Sequence, residues 1–486
     1  MKNNNFKFYV TLAIALLFMF GLRFVPAPSG LSASGMQVVG IFIGVLILWL
    51  TVSIDWPSIL LLGALALVPE LSFKSILSGS YGNMTFVFLM FTFVVTYALS
   101  KTSYIKRIAL SFITSKLAQK GPWYFATLYG ASIIFLGMFI SPTVLFFVYL
   151  PIHEEICTLL NLKKGDKLAA MLMISTVIFC GVSSGMTPIA HVFPLIGMGV
   201  YADMYGVAID YARYMITAIP VGIVTFVLVM LSFKLFLKPN MDAFENFDIQ
   251  QIKGSKEVTT LSEKIILAIF GLVIVLWVVP GLLMLMITSG TVYDFLKWFD
   301  GLGTAMPPLI GIVLLCTIRV DGKPLLTIGE AMSKGVSWPS LIMCAGTLAI
   351  GSALTNADIG FTAWLSATLP PMIAGLSPII MVLIFALWAA LQTNLSSNMV
   401  TATLVTTAAL SITAGMTNMN VPGLIIVIGA MASYAFATPP AMPCVAVAGS
   451  SGWTNTMQMM LYGFIAMFIS VLVVTFVGYP IATLIF

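Results

Sequence analysis

Apolar runs long enough to cross a bilayer recur along this chain, and short polar clusters interrupt some of them. A helix needs about 20 apolar residues to cross a hydrocarbon core of about 30 Å. By that measure, runs near 8–26, 36–54, 56–70 and 84–100 predict four spans. The basic amphipathic stretch from Lys101 to Lys120 predicts a segment lying at the membrane interface. Residues 122–160 are apolar but broken by Ser141-Pro142-Thr143, and a polar turn at 163–167 ends them. A long span near 169–199 is broken at Thr187-Pro188, and another follows near 206–237. The polar stretch 238–264 reads as a linker. Beyond it come runs near 264–288, 304–318 and 338–355. An apolar stretch at 376–418 is interrupted by Ser397-Asn398-Met399, and a span near 422–448 is broken at Thr438-Pro439-Pro440. A final run covers 458–486.

The interruptions come in the same order in both halves: a Ser/Thr/Asn cluster, then a Thr-Pro break some 40–45 residues later. Hydroxyls, amides and freed backbone groups are costly in lipid unless buried in protein or lining a cavity. Two such features in corresponding halves point to a transport site near the membrane midplane. The cations then set the topology. With a cytoplasmic N-terminus, 18 of the 22 Lys and Arg residues fall in cytoplasmic segments, as the positive-inside rule asks. This works only if 122–160 enters and leaves from the cytoplasmic side as a helical hairpin, and 376–418 enters and leaves from the outside. The expected architecture is therefore an all-α polytopic protein of about ten spans. It has two inverted repeats, each with a re-entrant hairpin and a broken helix, and its C-terminus lies outside. The chain divides into N-terminal spans (1–120), first-repeat elements (121–237, with hairpin 122–160 and broken helix 169–199) and a cytoplasmic linker (238–264). Further spans (265–355) and second-repeat elements (356–486, with hairpin 376–418 and broken helix 422–448) complete it.

Composition agrees. The 486 residues are 60% hydrophobic and 8% charged, against roughly 25% charged in soluble proteins. Residues 8–26 lack a small-residue cleavage site and read as a first span of a cytoplasmic-membrane protein, not a signal peptide. The net charge of +5 resides in loops and calls for no nucleic-acid partner. Five scattered cysteines suit neither a metal centre nor a disulfide framework. After Lys334 there is no Lys or Arg, and Asp358 is the lone acid. An anion in the second hairpin would have to be held by hydroxyls, amides, half-helix N-termini or a co-bound cation.

Other motifs carry less. Gly181-Val182-Ser183-Ser184-Gly185 matches G-x-S-x-G, the strand-to-helix nucleophile turn of soluble hydrolases. In an apolar helix it reads as close helix packing; an intramembrane protease using Ser183 and His191 is the competing class. Glu154 and Glu155 read as interfacial, Asp210 and Arg213 as a pair on one helix face, and Asp358 as a cap.

The paired tips and Thr-Pro breaks resemble those of the divalent-anion/sodium symporters, the family of bacterial dicarboxylate transporters and mammalian sodium-coupled citrate and sulfate carriers. The similarity covers nearly the whole chain. It includes the run Trp49 to Thr51 before Pro57, and Lys106-Arg107-Ile108-Ala109 after the fourth span. The resemblance implies a homodimer in the lipid bilayer, with a scaffold and an elevator-type transport domain. It implies substrate contacts at Ser141, Thr143, Thr187, Pro188, Ser397, Asn398, Thr438 and Pro439, and no cofactor beyond sodium. The first tip has Pro142 where the family has Asn, and the second has Met399 where it has Thr. The family's first sodium site falls on Gly137, Pro142 and Met186, which predicts a weakened site. The second, at Thr393, Ser396, Asn398 and Ala437, keeps its oxygens. The expected function is transport of four- or five-carbon dicarboxylates, with sodium coupling reduced or replaced by exchange. His191 is a candidate substitute cation. A fully sodium-coupled di/tricarboxylate or sulfate symporter is the alternative.

Overall fold

The computed structural model describes residues 2–244, 259–287, 289–303, 305–368, 376–395, 398–414, 416–439 and 441–486. The helices before the linker are α1 (Lys2–Gly21), α2 (Ala33–Thr51), α3 (Trp56–Leu65), α4 (Phe73–Ser80), α5 (Met84–Ser100), α6 (Tyr104–Ile113), α7 (Pro122–Gly137), α8 (Pro142–Leu159), α9 (Lys167–Ser184), α10 (Val192–Tyr205) and α11 (Tyr211–Ser232). After it come α12 (Leu261–Met286), α13 (Thr291–Gly301), α14 (Met306–Thr317), the single turn α15 (Ile328–Glu330) and α16 (Trp338–Thr355). Then follow α17 (Phe361–Thr368), α18 (Pro378–Leu395), α19 (Asn398–Thr413), α20 (Val421–Ser433), α21 (Pro443–Ser450), α22 (Thr456–Val473) and α23 (Tyr479–Ile485).

Among the described residues, seven helices are long and apolar enough to cross a membrane, or nine if each of two bent pairs is one span. The bent pairs are α13 with α14, and Ile328–Gly335 with α16, each turning by 78°. The expected runs all correspond to helices. What the apolar pattern passes over are the short α4, α13 and α17. These are too short or too polar to span; α13, for example, carries Asp294, Lys297 and Asp300. The all-α expectation needs one amendment, a minimal hairpin of β1 (Arg319–Val320) and β2 (Lys323–Pro324), paired Arg319 with Pro324 and Val320 with Lys323. Its turn is Asp321-Gly322, with φ of +50° and +75°, as a two-residue primed turn requires.

Polar residues set many helix starts. Ser32, Asn83, Asp210 and Asn420 accept backbone N–H bonds at the N-termini of α2, α5, α11 and α20. Thr260 and Glu263 form a capping box on α12. Asp55 caps α3; bonds from the Ser53 hydroxyl and the Trp56 N–H hold its carboxyl below the usual range.

Two helices form the centre. From Leu168 to Ser184 every residue of α9 is buried, and in α20 every residue but Pro422. Helices apolar on all faces belong in a core. The hairpin α7/α8 packs on α9, and the hairpin α18/α19 packs on α20. The second parts of the broken helices cross over: α10 packs on α19 and α20, while α21 packs on α8 and α9. Around them, α16 packs on α2, α3 and α4, and α5 packs on α12 and α14. Asp210 and Arg213 form the expected pair at 3.1 Å. Glu154 and Asp358 are exposed, and all five cysteines are free thiols.

Candidate functional site

The first hairpin turns between Gly137 and Pro142. Ser141 is the N-cap residue of α8 and makes no side-chain cap bond. Pro142 occupies the first turn of α8, where its missing N–H costs nothing. Ser141 and Thr143 are half-buried. α9 ends at Ser184, and the chain runs unwound through Thr187-Pro188 to His191 before α10 begins. Thr187 and Pro188 are buried, and the Thr187 hydroxyl donates to the Met138 carbonyl. A second set of bonds fixes the hairpin body: Tyr129 to Thr176 at 2.7 Å, and Tyr149 to Ser132 at 2.6 Å.

The second site repeats this plan. Ser396 and Ser397 lie outside the described residues, as does Pro440. α19 begins at Asn398, which is buried. α20 ends at Ser433, and residues 434–439 are unwound before α21. The Thr438 hydroxyl donates to the Asn394 carbonyl. Thr393 donates to Ala432 O at 2.7 Å. The Asn398 amide is satisfied with its nitrogen towards Thr393 O (3.2 Å), Thr393 Oγ1 (3.1 Å) and Ala441 O (3.2 Å). In that orientation Asn398 Oδ1 is turned away from these acceptors.

Asn394, which the sequence reading passed over, is the most heavily bonded of these residues. It is fully buried. Its amide donates to Ala390 O and Tyr434 O, both at 2.9 Å. Its Oδ1 accepts from Phe436 N at 2.9 Å and Ala437 N at 2.8 Å. One side chain thus satisfies three backbone groups freed by the break in the second helix, groups that would each be costly if left unpaired. The signal was present: Asn394 is an amide in an apolar run, one turn before the tip.

These bonds assign chemistry. A hydroxyl has one proton, and Thr187 and Thr438 direct theirs at tip carbonyls. Against an anion they act as positioning residues, while their oxygens keep lone pairs for a cation. Asn398 in the satisfied orientation likewise spends its N–H groups. At the first tip, the groups placed to donate to a carboxylate are the Ser141 and Thr143 hydroxyls and the first-turn N–H groups of α8.

The first sodium-type position is less bare than its sequence suggests. A Cβ added at Gly137 would lie 1.9 Å from Ser183 Oγ. The space a side chain at 137 would use is therefore filled by a hydroxyl from α9. Met186 packs over Gly222 of α11, whose added Cβ would meet Met186 Cγ at 2.3 Å. Tyr214 of the same helix donates to Gly185 O at 2.8 Å. The glycines of the G-x-S-x-G run face the other break: Gly181 meets the Phe436 ring and Gly185 the Tyr434 ring, each at 2.6 Å from an added Cβ. Ser183 and Ser184 donate within their own helix, to Cys180 O and Gly181 O. This run is the close crossing of the two broken helices. His191 precedes α10, its ring 4.0 Å from that of Phe193, and its buried Nδ1 has no partner among the described residues. A positive charge there would oppose the positive end of α10.

Residues 6–485 match the family model for the sodium:sulfate symporter transmembrane region. The chain is 25% identical over 473 residues to the sodium-dependent dicarboxylate transporter SdcS of Staphylococcus saprophyticus, covering 93% of this chain and 87% of that protein. It is 24% identical over 494 residues to SdcS of Staphylococcus aureus strain USA300, covering 96% and 89%. These relatives are transporters, which removes the protease reading of Ser183 and His191 and leaves sodium as the ion their name specifies. With the match running nearly from end to end, this chain belongs to the sodium:sulfate symporter family of multi-pass membrane transporters.

Proposed function

We propose that this chain moves four- and five-carbon dicarboxylates across the cytoplasmic membrane by alternating access, with sodium coupling reduced or replaced by dicarboxylate exchange. The observation that carries the reading is the matched pair of bonds from Thr187 to Met138 and from Thr438 to Asn394. Each joins a break to the residue three positions before a tip serine. Such equivalence supports two repeats of one plan, inverted in the membrane, with the substrate between two helix N-termini and the tip hydroxyls. The core of hairpins and broken helices would move as an elevator against the surrounding helices 1–120 and 265–355, in a homodimer with cytoplasmic N-termini and external C-termini. The buried Met399 at the second tip suits a cargo with an apolar middle.

One observation favours the alternative, a fully sodium-coupled symporter for di/tricarboxylates or sulfate. The Ser183 hydroxyl fills the space beside Gly137 and restores an oxygen to the first cation position. Counterflow of labelled succinate in proteoliposomes, with and without sodium on either side, tests both. Exchange without sodium is the expected result. An absolute sodium requirement would establish the alternative, and the absence of any dicarboxylate flux would remove the substrate assignment.

A further inference from the structure

A cavity of about 350 Å³ opens beside the first tip, with Ser141 on one wall and Thr96, Tyr97 and Ser100 of α5 on another. Lys334, Gly335 and Ser337, at the bend before α16, complete it. Lys334 is the one charged side chain on its described lining, and no Lys or Arg follows it in the chain.

The neighbours of Lys334 compensate its charge only in part. Glu330 Oε1 accepts from Lys101 Nζ at 3.1 Å and from Tyr97 OH at 3.0 Å. Lys334 Nζ stands 3.6 Å from the same oxygen and is 68% exposed. One carboxylate between two ammonium groups leaves a net positive charge, and the closer bond belongs to Lys101. The bend itself is fixed. Gly335 lies so close to Tyr97 that an added Cβ would meet its Cβ at 2.6 Å, and Trp338 Nε1 donates to Met332 O at 2.9 Å. Ser141, on the same lining, makes no cap bond to α8, so the tip offers a hydroxyl and helix N–H groups to the cavity that also holds the ammonium.

We infer that Lys334 is a substrate-binding residue: it pairs with one carboxylate of a dianion whose other carboxylate reaches Ser141 and the N-terminus of α8. This deepens the transport reading and rests on it. Lys334 sits on the bend packed against α5 and Ser141 sits on the hairpin, so the pair closes on cargo only while the hairpin faces this cavity. Lys334 therefore raises affinity on one membrane face, the face bearing Lys101, which the charge count assigns to the cytoplasm.

The experiment compares parent, K334Q and K334R proteins in nanodiscs by equilibrium titration with succinate and with sulfate. Oriented vesicles then give the succinate KM from each face. In K334Q, binding of the dianion that the parent binds weakens about 10-fold at low ionic strength, and its salt dependence flattens. K334R stays within about 3-fold of the parent, since the charge is retained. The KM rises only from the face bearing Lys101. Unchanged binding in K334Q overturns the inference, as does an equal rise in KM from both faces. Lys334-dependent sulfate binding without succinate flux leaves the Lys334 site standing and removes the dicarboxylate reading. A parent that binds neither dianion removes both. Thermal unfolding of K334Q at the parent temperature separates lost binding from lost fold.

Discussion

The Thr438 hydroxyl donates to the main-chain carbonyl of Asn394, and Thr187 makes the equivalent bond to Met138. Each bond closes a break in one helix onto the turn of a hairpin. It therefore couples the position of the tip to the position of the break, and a ligand gripped by either meets both.

Thr438→Val removes the donor and leaves the buried Asn394 carbonyl unpaired, a cost of about 1–3 kcal/mol; Thr187→Val does the same to the part-buried Met138 carbonyl at lower cost. If that cost falls on the competent tip geometry, succinate uptake drops by roughly 10-fold at unchanged protein level. Thr→Ser at either position retains at least half of parent activity. Uptake in proteoliposomes of matched protein content reads both, and equal activity of the Val variants would show that the bond does not set the tip.

Asn394→Leu strands the carbonyl of Tyr434 and the N–H groups of Phe436 and Ala437 in the core. With about 1–3 kcal/mol for each stranded group, the expected result is a fall in melting temperature of more than 10 °C or failure to accumulate in the membrane. Asn394→Asp keeps both acceptor bonds and loses the donors, and falls between parent and Leu. Scanning fluorimetry in detergent orders the three.

Gly137→Ser places a side chain against Ser183 Oγ and Cβ. Overpacking of this kind costs about 1–3 kcal/mol. Gly137→Ser combined with Ser183→Gly moves the hydroxyl from α9 to the hairpin and recovers most of that loss, less about 1 kcal/mol for a helical glycine. A double-mutant cycle on melting temperature measures the coupling. The sodium activation curve of the double variant then reports whether the cation position needs the hydroxyl or its origin.

Asn398→Asp turns a donor into a third acceptor facing Thr393 O and Ala441 O. The expected outcome is at least a 10-fold loss of transport, from repulsion between the second tip and the start of α21. Asn398→Ser, shorter and able to donate once, loses less. Parent-like transport by the Asp variant would remove the bonding scheme assigned to this amide.

Much of the fold was legible because lipid tolerates so few backbone arrangements. Runs of apolar residues could be read as helices, and polar interruptions inside them as sites, since unpaired backbone in hydrocarbon has no other use. Thus residues 122–160 hold α7 and α8, residues 376–418 hold α18 and α19, and the Thr-Pro pairs follow the ends of α9 and α20. The short α4, α13 and α17 escaped because their composition matches neither a span nor a loop.

What the sequence alone determined was the order of elements and the family, because these depend on local apolar length and on residues adjacent along the chain. Only the tertiary structure decided which protons are already spent. Thr187, Thr438 and Asn398 look alike as donors in sequence, yet their bonds run to carbonyls from 5 to 49 positions away. The same holds for Gly137, whose missing side chain is answered by Ser183, and for Asn394, three of whose four partners come together only when α18 lies against the second break. Hydrogen-bond satisfaction is a property of the packed core, and no local pattern encodes it.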